Sequence, residues 1–194
     1  MKRNTKKMDD VERKTNKKMN YKDAKQIAMK AAEELRPYCN RTEIAGSIRR
    51  KKSDVKDIEI VCIPKDEEIL QFAALVNQWE KIKGEPTGKY TQRRLPEGIN
   101  LDLFMAKPRN WGLIFALRTG SAAYSHKILA GTWVRLGYRS VDGMLTKEEK
   151  LFGVPEEADL FDLLGLDFIE PEYRDVQQTR AENPPRILNE YECT

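Results

Sequence analysis

Two arginines and two carboxylates lie close together in Gly46-Ser47-Ile48-Arg49-Arg50 and, a few residues on, Asp57-Ile58-Glu59-Ile60. A carboxylate is a hard oxygen donor for divalent cations, and an arginine forks two N–H groups onto a phosphate. On a strand, residues two apart share a face. Asp57 and Glu59 would therefore point together while Ile58, Ile60 and Cys62 point into a core. Asp102 is the isolated acid of an apolar run, Leu101-Asp102-Leu103-Phe104. If that run lies beside the first strand, three carboxylates converge. Clustered acids repel one another unless cations neutralise them. Mg²⁺ suits such a site because it takes one or two carboxylates together with water and substrate phosphates. Two ions about 3.5–4 Å apart could stabilise both the attacking and the leaving oxygen of a phosphoryl displacement. Gly46 permits close backbone approach, Ser47 offers a hydroxyl and an N–H to phosphate oxygens, and Arg50 suits a triphosphate. Each piece also has an ordinary reading. Acid–apolar alternation describes any strand with one wet face, and Arg49-Arg50-Lys51-Lys52 describes a solvated basic loop.

The elements that must hold these residues are legible in outline. Tyr21, Ala24, Ile27, Ala28, Ala31, Ala32 and Leu35 recur at helical spacing, predicting a helix over 21–36 that Pro37 ends. Strands are expected at Thr42–Ala45, Asp57–Ile63, Glu80–Lys83, Lys89–Arg94 and Ile99–Ala106, with a helix over Glu67–Trp79. After Pro108 the texture changes. Helices over Trp111–Leu117 and Ser121–Leu136 flank Thr119-Gly120-Ser121, and Asp142-Gly143 between apolar residues signals a hairpin. A last helix, Glu156–Leu164, is stopped by Gly165. Trp79, Trp111 and Trp133 are expected in cores. The expected fold class is α+β: a sheet-bearing domain over 21–106, with helices on one face of a mixed or antiparallel sheet, and a small C-terminal α+β lobe over 107–175. A leader (1–20) and a polar tail (176–194) flank them.

Composition narrows the class of protein. The 194 residues are 40% apolar and 34% charged, with a formal net charge of +4. Residues 1–20 hold eight basic side chains against three acids, so the basic excess sits in the leader. Such a leader is expected to stay disordered until it meets a polyanion, or to serve as a solubilising tail. The three cysteines are odd in number and far apart, and His126 is the only histidine. A disulfide framework, a zinc site and a Ser-His-Asp triad are thereby disfavoured. No apolar run approaches the roughly 20 residues that span a bilayer. The expectation is a monomeric protein of a reducing, cytoplasmic compartment, with no membrane partner.

Gly46-Ser47-x-Arg49-Arg50, a spacer, then Asp57-x-Glu59 resembles the palm signature of the family X DNA polymerases, the polymerase beta group. Leu101-Asp102-Leu103-Phe104 is similar to that family's strand carrying the third metal-binding acid. Thr119-Gly120-Ser121 resembles its T-G-S turn, and 156–171, ending Gly165-Leu166-Asp167-Phe168-Ile169-Glu170-Pro171, its closing region. The likeness runs over about residues 40–175. It implies a nucleotidyltransferase palm with Asp57, Glu59 and Asp102 as catalytic ligands of two Mg²⁺ ions, or Mn²⁺ in their place. It implies that Gly46, Ser47 and Arg50 hold the β- and γ-phosphates of a dNTP, and that Thr119, Gly120, Ser121 and Ser125 line its sugar and base. The DNA partner would be a gapped or primer-template duplex, met by Lys89, Arg93, Arg94, His126 and Lys127. The implied activity is a DNA polymerase that fills short gaps in DNA repair. The same palm also serves template-independent or non-DNA nucleotidyltransferases, and a catalytically weak DNA-binding scaffold is a third reading. Five positions depart from the pattern. Glu59 stands where an Asp is usual, and Leu117-Arg118 where an aromatic pair helps exclude the ribose 2′-hydroxyl. Ser125 replaces an Asn, and Asn100 an Arg. No segment resembles the family's N-terminal lyase domain.

Overall fold

The computed structural model describes residues 18–176. The leader up to residue 17 and the polar tail beyond residue 176, expected from the sequence, lie outside the described residues. The first part of the chain forms β1 (Met19–Asn20), α1 (Tyr21–Leu35), β2 (Cys39–Ile44), α2 (Gly46–Arg49), β3 (Asp54–Val55), β4 (Asp57–Pro64), α3 (Ile69–Val76), β5 (Glu80–Lys83), β6 (Tyr90–Arg94) and β7 (Asn100–Met105). Met19 and Asn20, read from sequence as the end of the leader, belong to the fold: they pair with Val55 and Asp54. Asn20 also starts α1, its side chain accepting the Asp23 N–H at 3.0 Å, which satisfies one of the helix's four free amides.

The fold is α+β, built on a five-stranded mixed sheet of order β2-β4-β7-β6-β5. β4 and β7 run parallel, and every other neighbouring pair is antiparallel. The sheet's two faces differ because β4 and β7 alternate. Ile58, Ile60, Cys62, Leu101 and Leu103 are fully buried under the small-residue stripe of α1 (Ala24, Ala28, Ala31, Ala32) and under Phe72 and Val76 of α3. Fully burying an aliphatic side chain is worth about 1.5–3 kcal/mol, so this face holds the sheet in register. The opposite face carries acids at one end, Asp57, Glu59 and Asp102, and apolar residues at the other, Val61, Ile63 and Phe104.

The rest of the chain forms α4 (Trp111–Thr119), then α5 (Ala122–Tyr124), which passes through a π-helical turn at Ser125–Ala130 into α6 (Gly131–Arg135). A three-stranded sheet follows, β8 (Arg139–Val141), β9 (Met144–Lys147) and β10 (Lys150–Phe152), and then α7 (Glu157–Leu164). Helix α4 joins the two packed regions. Trp111 and Phe115 pack with Val61, Ile63 and Phe104 of the sheet. Leu113 and Ala116, on its other side, pack with Tyr124, Leu129, Trp133, Leu160 and Phe161. At Gly112 a Cβ would lie 2.0 Å from the Glu156 carbonyl oxygen, so only glycine lets α4 back so closely onto the start of α7. Gly165 (φ 63°) closes α7 in the left-handed conformation, as its sequence position indicates.

Several elements differ from the sequence reading. The helix expected over Glu67–Trp79 is a 3-10 turn (Asp66–Glu68) followed by α3, which stops at Val76. The Asp142-Gly143 hairpin gains a third strand, β10. Trp79, Trp111 and Trp133 are all buried.

Candidate active site

The parallel register of β4 and β7 places Glu59 beside Asp102 and Asp57 beside Asn100. All three acids are half-buried on the face that α1 does not cover. Burial, with Asp57 adjacent, pushes the Glu59 carboxyl up to about 7. Arg50 and then Arg118 pull it the other way, and Asp102 adds to the rise. Burial also raises Asp102, against hydrogen bonds to its Oδ1 from Tyr90 Oη (2.9 Å) and Gln92 Nε2 (2.8 Å). Tyr90 is itself driven well above an ordinary phenol, by burial first and then by this bond. It stays a donor to Asp102 at any working pH.

Helix α2 begins at Gly46, whose φ of +61° is rarely adopted by a residue with a side chain. Its missing side chain matters as much: a Cβ there would fall 1.8 Å from Glu59 Oε2. The Glu59 carboxylate therefore occupies the space above Gly46, one methylene further out than an aspartate would reach. Next to it, Ser47 Oγ and Arg50 Nε are closed off and have no hydrogen-bond partner among the described residues. Arg50 Nη1 donates to the Thr119 carbonyl at 2.5 Å. Burial lowers the Arg50 pKa, while Glu59, Asp175 and Asp57 act to raise it.

Arg49, to which the sequence reading gave no role separate from Arg50, ties the two regions together. Its guanidinium lies 3.9 Å from the centre of the Phe115 ring. It donates to Thr119 Oγ1 at 2.7 Å and to both oxygens of Glu157 at 2.8 and 2.6 Å. Glu157 also accepts from Arg174 at 2.5 Å, and Arg174 has no exposed surface. Burial pushes the Glu157 carboxyl up, but the hydrogen bonds from Arg49 and Arg174 outweigh it and leave a net lowering. Lys51 pairs with Glu172 and Lys52 with Asp175 (3.9 Å), so the segment after α7 docks on the loop after α2.

The turn predicted to meet a nucleotide is compact. Thr119 is fully buried and its side chain holds Arg49, so it presents no hydroxyl to a ligand. Ser121 Oγ accepts the Tyr124 N–H at 3.1 Å, capping α5, and Ser125 Oγ donates to the Leu117 carbonyl at 2.7 Å. A Cβ on Gly120 would strike the Tyr124 ring at 2.6 Å and Ser125 Oγ at 2.7 Å. Arg93, read as a DNA contact, is corrected outright. It is fully buried, and it donates to the carbonyls of Val76, Lys83, Gly84 and Gln92, closing the end of α3 onto the β5–β6 turn. Lys89 is exposed and pairs with Asp142 at 2.8 Å, while Arg94 reaches the Gly98 carbonyl at 3.1 Å. His126 and Lys127 are exposed on the π-helical turn.

The donor set suits a hard divalent cation. It consists of carboxylates alone, one of them protonated until about neutral pH by its acidic neighbours and burial, and a cation would relieve that repulsion. The orphaned Ser47 hydroxyl and Arg50 Nε beside it suit a phosphate. No group of three His, Cys, Asp or Glu side chains stands ready-clustered for a metal among the described residues, and one oxygen of Asp102 is already engaged by Tyr90 and Gln92 of β6.

No protein-family model matches the sequence, and no curated protein matches it. Solved structures do match in three dimensions. Polymerase beta of Leishmania infantum, in a ternary P/T complex, superposes with a TM-score of 0.67 at 18% identity, covering 83% of this chain and 78% of that one. The chain therefore has a polymerase beta-like fold. Among the described residues no helix is long and apolar enough to cross a membrane.

Proposed function

We propose that this chain is a nucleotidyltransferase that adds a deoxynucleotide to the 3′-hydroxyl of a DNA primer, filling short gaps in repair. The observation that carries this reading is the register of β4 against β7, which sets Glu59 beside Asp102 and both on the face of Asp57, next to the α2 cradle. Asp57, Glu59 and Asp102 would hold two Mg²⁺ ions, or Mn²⁺. Bound there, the ions would neutralise the triphosphate and lower the pKa of the attacking hydroxyl.

The chain's own groups divide the remaining work. Ser47 and Arg50 bind the β- and γ-phosphates and hold the pyrophosphate as it leaves. Asp102, whose Oδ1 is occupied by Tyr90 and Gln92, accepts the hydroxyl proton through Oδ2. The 3′-oxygen then bonds to the α-phosphorus as the bond to pyrophosphate breaks. The turn at Gly120 and Ser121 lies along the sugar. Arg49 orients Arg50 indirectly, since the two grip the side chain and the carbonyl of the same residue, Thr119. The exposed Lys89, His126 and Lys127, with the half-buried Arg94, form the basic set for the duplex backbone, an attraction that weakens steeply with salt. Arg93 has no part in it.

The test is insertion into a one-nucleotide-gap duplex with Mg²⁺ and each dNTP or NTP in turn. Insertion of the complementary dNTP alone supports the proposal. Insertion regardless of template points to a terminal transferase, and duplex binding without insertion points to a scaffold. Asp102→Ala should abolish insertion and leave duplex affinity within about twofold. Retained insertion would refute the assignment of the acids.

A further inference from the structure

Arg118 is a cation whose charge reaches the acid cluster and that the mechanism above leaves unused. It sits in the last turn of α4, immediately before Thr119, and its side chain is exposed. Its guanidinium lies 4.1 Å from the centre of the Phe104 ring. Phe104 stacks in turn on Tyr90, its cross-strand partner, with ring centres 5.1 Å apart. Tyr90 is the residue that donates to Asp102. The three side chains thus make a layered stack, Tyr90, Phe104 and Arg118, on the acid-bearing face of the sheet and beginning beside Asp102. The positive charge of Arg118 is felt at Glu59, Asp102 and Tyr90. Yet among the described residues it has no ion pair within 4.0 Å and no hydrogen-bond partner. A guanidinium laid on a ring has its plane fixed while its N–H donors stay free at the edge.

Its place in the site limits what those donors can meet. Arg50 holds the carbonyl of Thr119, the next residue along, and belongs to the cradle beside Ser47. Arg118 lies over Phe104, two residues past Asp102 on β7. A nucleotide stretched between cradle and acids would bring its α-phosphate and sugar, the oxygen-rich junction, to Arg118.

We propose that Arg118 is a substrate-contacting residue that donates hydrogen bonds to an oxygen at the sugar–α-phosphate junction of the incoming nucleotide. This rests on the nucleotidyltransferase reading above. The side chain is held by stacking instead of by a protein acceptor, so its donors are free to be spent on the ligand.

The test measures equilibrium binding of dNTP, NTP and 2′,3′-dideoxy NTP to the full chain on a gapped duplex with a dideoxy-terminated primer and Mg²⁺, where no transfer occurs. Arg118→Met keeps a stem over Phe104 and removes the donors. Arg118→Lys keeps the charge and loses the fork. For Met the expected result is a tenfold or greater loss of nucleotide affinity, with duplex affinity and melting temperature unchanged. Lys should lie between Met and wild type. Equal loss for all three nucleotides identifies the α-phosphate as the contact. Loss confined to NTP identifies the 2′-oxygen, and loss shared by dNTP and NTP but absent for the dideoxy form identifies the 3′-oxygen. Less than a twofold change for every nucleotide overturns the proposal and leaves Arg118 as a counter-charge to the acids. Wild-type protein that binds nucleotide but never transfers it would sink the enzymatic reading while this binding comparison still decides Arg118. Wild-type protein that binds no nucleotide overturns both.

Discussion

Removing the carboxylate of Glu157 tests how far the two packed regions depend on one buried charge. Its side chain is 8% exposed, and it receives Arg49 (23% exposed) and Arg174 (0%). Glu157→Ala leaves Arg174 buried with only the Ile169 carbonyl as a polar acceptor. Breaking a buried pair by deleting one partner costs about 3–5 kcal/mol, because the surviving charge is desolvated without compensation. For a chain of this size about 1 kcal/mol moves the melting temperature by about 2–4 °C, so the expected drop is about 6–20 °C. Urea unfolding followed by tryptophan fluorescence supplies the free energy directly. The double variant Glu157→Leu, Arg174→Met should recover most of the loss, since apolar replacement of a buried ion pair is often neutral. Arg49 retains Thr119 and the Phe115 ring in both variants. Acid should mimic the single change. The Glu157 carboxyl is lowered in the folded state, so its contribution is present above the ordinary glutamate range and is lost as pH falls through the depressed value. A loss below about 1 kcal/mol for Glu157→Ala, or a double variant no better than the single, would refute the reasoning.

Two other outcomes follow from the geometry. Arg93→Met should destabilise the chain by about 1–3 kcal/mol, because four carbonyls lose their donor. Its affinity for duplex DNA, measured by anisotropy at fixed salt, should stay within twofold, and a larger drop would restore Arg93 as a contact. Glu59 has the opposite linkage from Glu157. Its folded carboxyl is raised from the ordinary 4.5 to about 7. Between those values the native state holds a proton that the unfolded chain has lost, so stability in chelator falls as pH rises through that window. Glu59→Gln should flatten this decline by on the order of 1–3 kcal/mol in urea titrations between pH 5 and 8. An unchanged slope would place the titration elsewhere.

What the sequence disclosed depended on how local each signal was. The strand at Asp57–Pro64 was legible because acids and aliphatics alternate without a break, and Asp102 because it is the only charge in an apolar run. The pairing of β4 with β7 could only be supposed, since some forty residues separate them and no local pattern records a parallel neighbour. Arg93 was misread although a signal existed: Thr91, Arg93 and Leu95 alternate with Tyr90, Gln92 and Arg94, and all three of the former are buried. A charge on the inward phase is read as solvent-facing unless its carbonyl partners are known. The Arg49–Glu157–Arg174 cluster spans more than a hundred residues and has no signature in any window. The single-turn helix α2 and the three-residue β10 are too short for periodicity to register.

Helix α4 has a mechanical consequence. Trp111, fully buried at its start, is anchored against the sheet. Arg118 and Thr119 lie seven and eight residues further, about 10–12 Å along the axis at 1.5 Å per residue. Helix α4 is one rigid element, held against the sheet at Trp111 and again at Phe115. A tilt of about 10° swings the far end by about 2 Å, enough to part Arg50 from the Thr119 carbonyl, now 2.5 Å away. The same swing slides Arg118 across the Phe104 ring. Because Arg118 and Thr119 ride on the same helix end, a displacement there would move both arginine contacts together.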